Sequence, residues 1–95
     1  MSDQNIPDAD HPPSLTKVLA QVGHEVRQAQ AIWPPLNSAH EGYAVLMEEV
    51  DELWTEIKVN QKRRDLVKMR AEAVQVAAMA VRFIRNVCDG GRGRI

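Results

Sequence analysis

This 95-residue sequence predicts an all-α fold: a bundle of about three main helices, completed by homo-oligomerisation. Three observations carry that expectation. Apolar residues recur at helical spacing in three stretches, each preceded by a residue suited to capping a helix. No stretch alternates apolar and polar residues as a half-buried strand would. The foldable part is roughly 75 residues, a size at which one core is marginal. Its aromatics are Trp33, Tyr43, Trp54 and Phe83 alone, so the core is aliphatic and thin.

Residues 1–13 hold Pro7, Pro12 and Pro13 among Asp and Asn, and read as a disordered N-terminal segment. A helical domain follows over 14–89. Ser14 is placed to cap a first helix running to about Trp33, with Leu15, Val18, Leu19, Val22, Val26 and Ala29 on its apolar stripe. Pro34-Pro35 stops it, because proline lacks the amide donor and disfavours helix in the residue before it. Ser38-Ala39-His40-Glu41 is a capping box and opens the second helix.

On that second helix Tyr43, Leu46, Met47, Val50, Leu53, Trp54 and Ile57 gather on one side at about 100° per residue. Glu41, Glu48, Glu49, Glu52 and Glu56 gather on the other. Lys62-Arg63-Arg64 reads as a polar turn, and Asp65 as the cap of a third helix running to about Cys88, ended by Gly90. From Ala73 to Ile84 the third helix is apolar almost all round, which means burial on several sides. Its polar stripe is Asp65, Lys68, Glu72, Gln75, Arg82 and Asn86. Residues 90–95, rich in glycine, read as a flexible C-terminal tail.

Charge and composition exclude several functions. The net charge is −1, and no basic stripe is interleaved with aromatics, so nucleic acid is not the expected partner. Cys88 is the sole cysteine and no apolar run is long enough to span a membrane; with no signal-peptide core either, a cytoplasmic protein is expected. No glycine-rich phosphate loop, nucleophile elbow or zinc spacing occurs.

What remains is carboxylate chemistry. Glu49-x-x-Glu52 sets two carboxylates one turn apart, Glu48 stands beside them, and nineteen residues separate Glu52 from Glu72-x-x-Gln75. That gap finishes one helix and returns a second beside it. Facing carboxylates repel unless a cation lies between them, and magnesium prefers hard oxygen ligands together with substrate phosphates. The alternative is a solvated acidic face on the second helix, with Glu72 and Gln75 in a structural network with a nearby arginine. Positive charge for phosphate would come first from Arg82, on the stripe of Glu72 and Gln75, and next from Lys68 and Lys62. His40 lies in a helix's first turn and reads as part of the cap.

These residues resemble the ExxE…ExxD signature of the MazG-like all-α nucleoside triphosphate pyrophosphohydrolases. The stretches Trp33–Trp54 and Glu72–Phe83 resemble the small phage and bacterial members, and the likeness covers about Leu15 to Val87. The resemblance implies hydrolysis of (deoxy)nucleoside triphosphates to monophosphate and pyrophosphate. It implies Mg²⁺, with Mn²⁺ as a substitute, on Glu49, Glu52, Glu72 and Gln75. Glu48 would orient or deprotonate the attacking water. Trp33 would stack on the base and Asn37 read its edge, although Trp33 packing the first helix and Asn37 shaping a turn is an equal alternative. It also implies a homo-oligomer, dimer or tetramer, in which a neighbour can lend residues. The family's final Asp is Gln75 here, which keeps an oxygen ligand but removes a charge. The competing expectations are a catalytically weakened nucleotide-binding oligomer and a phosphoribosyl-ATP pyrophosphohydrolase-like activity.

Overall fold

The computed structural model describes residues 14–95, so the N-terminal segment 1–13 lies outside the described residues. Helix α1 spans Leu15–Ile32, α2 spans Ala39–Ile57 and α3 spans Leu66–Phe83. The capping residues act as the sequence predicts. Ser14 Oγ accepts from the Lys17 amide, Ser38 Oγ from the Glu41 amide at 3.0 Å, and Asp65 Oδ1 from the amides of Val67 and Lys68. One detail differs: the Glu41 carboxylate accepts from the Asn37 amide, one residue outside the capping box. The Lys62 region forms a single 3-10 turn, Gln61–Arg63, and the Arg64 side chain ties it to the end of α2 by donating to the Ile57 carbonyl at 2.9 Å.

Helix α3 is the shared partner, with α1 on one flank and α2 on the other. Val22, Val26 and Ala78 form one buried cluster, backed by Val74, Ala77 and Val81. Leu36, Met79 and Val87 form the second, backed by Ala39, Val45, Leu46 and Phe83. The near-continuous apolar surface of α3 is thus used on two flanks. The layer is open: its extents are 47 × 34 × 22 Å and its radius of gyration is 16.0 Å, against about 12 Å for a closed domain of this length. Leu15, Leu19, Tyr43, Trp54, Leu66 and Val67 are exposed as a result.

The packing of α2 departs from the simple amphipathic reading. That reading would put the apolar side on the core and the acidic side in solvent, the alternative to a metal site. Instead Tyr43 and Trp54 are exposed while Glu49 and Glu56 are half-buried. Gly42 is the one fully buried residue of α2. A Cβ there would stand 2.6 Å from Phe83 Cδ2 and 2.9 Å from Phe83 Cε2, so the ring lies directly on the α2 backbone. That close approach selects which side of α2 meets α3, and the residues one, two and four turns further along that side include Glu49 and Glu56.

The end of the chain also departs from expectation. Helix α3 widens into a π-helical turn, Ile84–Cys88, before the chain reverses at Gly91, where φ is +78°. Residues 90–95 do not trail away. The Arg92 amide donates to the Val87 carbonyl at 2.8 Å, and the Ile95 carbonyl accepts from the Ala39 amide at 3.2 Å, satisfying one of the orphan donors that open α2.

Candidate functional site

Three carboxylates meet where the lower half of α2 crosses the start of α3. Oxygens of Glu49, Glu52 and Glu72 all lie within 4.8 Å of one another. Glu49 and Glu52 are one turn apart on α2, and Glu72 reaches them from α3, as the nineteen-residue gap predicts. Burial raises the Glu49 carboxyl above its ordinary 4.5, and the charges of Glu52, Glu72 and Glu48 raise it further. Glu72 is raised by burial, then by the charge of Glu52, a hydrogen bond to Glu52 and the charge of Glu56. Such a group of hard, crowded oxygens gains from a cation placed among them, and the donor set suits magnesium or manganese.

Gln75, one turn beyond Glu72, is half-buried and stands outside this trio. Its Nε2 donates to Glu25 Oε1 across the α1·α3 contact at 2.7 Å. A carboxylate can only accept, so the amide's NH₂ must face Glu25 and its carbonyl oxygen remains for another partner. Glu25 was not singled out from the sequence. It falls on the inward stripe of α1 between Val22 and Val26, and a polar residue on an apolar stripe is the signal that would have found it.

A cavity of about 390 Å³ adjoins the trio. Glu48, Glu49 and Gln75 line its acidic end. Trp33, the 34–37 loop, Glu41, Val45, Met79 and Arg82 line the rest, with Ala29. Trp33 is 62 % exposed, leaving its ring free to meet a ligand. Lys68 is exposed and does not line the cavity.

Arg82 is placed unexpectedly. It is 5 % exposed, donating to the Pro34 carbonyl at 3.1 Å and to Met79 Sδ at 3.5 Å, both neutral partners. Its Nε is buried without a hydrogen-bond partner. Its bonds therefore support the 34–37 loop from beneath. Two more groups hold the same loop: Asn86 Oδ1 accepts from the Leu36 amide at 3.0 Å, and Arg92 donates to Asn37 Oδ1 at 3.1 Å and the Leu36 carbonyl at 3.4 Å. Neither Asn86 nor Arg92 was read as functional. Asn86 stood on the polar stripe of the third helix, whereas Arg92 has no local signal, because its partners are 55 and 56 residues away.

No family model, characterised protein or solved structure matches this chain. Among the described residues, no helix is long and apolar enough to cross a membrane.

Proposed function

We propose that the protein is a metal-dependent pyrophosphohydrolase that converts (deoxy)nucleoside triphosphates to monophosphate and pyrophosphate. The observation that carries this reading is a cavity walled by Trp33 and apolar side chains and also by Glu48 and Glu49, the second of which belongs to the Glu49–Glu52–Glu72 trio. A nucleoside triphosphate has a matching mixed character: a flat ring and a chain of anionic oxygens that travels with Mg²⁺. In this reading Glu49, Glu52 and Glu72 hold Mg²⁺ or Mn²⁺, and the Gln75 carbonyl oxygen is available as a neutral fourth donor. Bound there, the ion would offset triphosphate charge and acidify a coordinated water. Glu48, on the cavity wall, orients the attacking water and takes its proton as the new P–O bond forms and the α–β bridge breaks. Trp33 stacks on the base, and the loop holding it is fixed from beneath by Arg82 and Asn86.

The exposed Tyr43, Trp54, Leu66 and Val67, on so thin a layer, support a homo-oligomer as the working form. A second reading, a catalytically weakened nucleotide-binding oligomer, is favoured by one observation: Gln75 is engaged with Glu25 and brings no charge to the trio.

Product analysis separates the two. The protein is incubated with ribo- and deoxyribonucleoside triphosphates in Mg²⁺, in Mn²⁺ and in EDTA. Metal-dependent release of monophosphate and pyrophosphate in equal amounts supports the hydrolase. Nucleotide-induced thermal stabilisation with no product overturns it in favour of the binding module. Light scattering that returns the monomer mass would remove the oligomer from the proposal.

A further inference from the structure

Trp33, just before the 34–37 loop, and Asn37, at its close, both line the cavity. The side chain of Asn37 has two ends that differ: a carbonyl oxygen that accepts and an NH₂ that donates. Which end a ligand meets is decided by what holds the other. A guanidinium has five N–H donors and no acceptor, so the amide end 3.1 Å from Arg92 has to be the carbonyl. Its NH₂ is the end left for a ligand.

Arg92 is itself held on both sides. The positive φ at Gly91 turns the chain back, the Arg92 amide is bonded to the Val87 carbonyl, and Ile95 closes on the Ala39 amide at the start of α2. The same guanidinium also bonds the Leu36 carbonyl, so it grips the loop through backbone and side chain together.

We propose that Arg92 is a positioning residue for base selection: by binding Asn37 Oδ1 it makes Asn37 a donor, so the cavity favours bases with an unprotonated ring nitrogen at their pairing edge. Cytosine and adenine present such a nitrogen. Uracil and guanine carry N–H at that ring position, so an Asn37 NH₂ set against it meets donor with donor and has only a flanking carbonyl to turn to. The inference rests on the nucleotide reading of the cavity, but not on catalysis.

The test is therefore equilibrium binding. Binding is followed by calorimetry on titration with CMP, AMP, UMP and GMP, each in Mg²⁺, so that turnover is not needed. The native protein is expected to bind CMP and AMP about tenfold more tightly than UMP and GMP, the worth of one hydrogen bond. Arg92→Ala frees the amide to rotate and collapses that ratio towards one, whereas Arg92→Lys, which still donates, retains it. Asn37→Asp replaces the donor with an acceptor and inverts the ratio. A ratio unchanged in Arg92→Ala, or a native protein that binds all four alike, overturns the inference. So does equal weakening for every base in both Arg92 variants, the mark of a purely structural role. Discriminating binding without triphosphate hydrolysis would sink the hydrolase reading alone, and no binding of any nucleotide would sink both.

Discussion

The two ends of the α2·α3 contact are built from opposite materials. At the upper end Gly42 lets the Phe83 ring touch the helix backbone, and Leu36, Met79 and Val87 close around it. At the lower end the same two helices bring Glu49, Glu52 and Glu72 within 4.8 Å. Apolar contact at the first end offsets electrostatic repulsion at the second, since both belong to one rigid pair of helices. Stability is concentrated at one end, and the repulsion is held at the other, where a bound cation would relieve it. In such an arrangement, cation affinity and metal-free stability should move in opposite directions when the carboxylates are changed.

The largest expected effect breaks the acidic end. Glu72→Gln, or Glu52→Gln, should lower pyrophosphate release by at least about a hundredfold, because a ligand to the ion is weakened. At the same time Glu72→Gln should raise the melting temperature of the metal-free protein and abolish its further rise on adding Mg²⁺. Differential scanning fluorimetry with and without the metal reads both, and unaltered turnover in both variants would remove the site.

Breaking the packed end comes next. Gly42→Val drives a branched side chain into Phe83 and should cost about 3 kcal/mol in urea unfolding, by overpacking. Glu49 and Glu52, carried on the same helix, should then shift away from Glu72 on α3, and Mg²⁺ affinity should fall although no carboxylate was altered.

A smaller effect tests how α1 enters the acidic end. Gln75→Asp, which matches the ExxD pattern, sets a second carboxylate against Glu25 and should destabilise the metal-free protein by about 1 kcal/mol. Adding Glu25→Gln should restore stability and let the new charge tighten Mn²⁺ binding, measured by calorimetry. If the single variant is fully stable, Glu25 does not hold Gln75 in solution.

The smallest effect is on pH dependence. Glu49 and Glu72 keep their protons more tightly folded than unfolded, since burial and neighbouring carboxylates raise both above 4.5. Their contribution to stability is complete below that value and is lost as pH rises through the raised folded values. The metal-free protein should thus melt at progressively lower temperature from about pH 4.5 upward, a trend that Mg²⁺ opposes and Glu72→Gln flattens.

Helix positions, caps and the carboxylate trio were legible because each depends on local spacing. Ser14, Ser38 and Asp65 sit one residue before an apolar-periodic run, and a capping side chain acts only on the amides next to it. The Glu49–Glu52 pair and the gap to Glu72 describe one turn and one helix return. The side of α2 that meets α3 was not legible from the hydrophobic pattern, because one glycine and one phenylalanine decide it across the interface. Nor were the partners of the two amides. Glu25 lies 50 residues from Gln75, and Arg92 lies 55 from Asn37.

The sequence by itself determined the all-helical class, the helix starts to within a residue, and which carboxylates would converge. These follow from backbone hydrogen bonding and a 3.6-residue period, which reach no further than neighbouring turns. Only the tertiary structure decided that Arg82 lies buried beneath the loop, that the last six residues close over it, and that each cavity amide shows one end. Those outcomes depend on which groups meet after the chain has reversed, and an Asn or Gln takes its polarity from whatever partner it finds there.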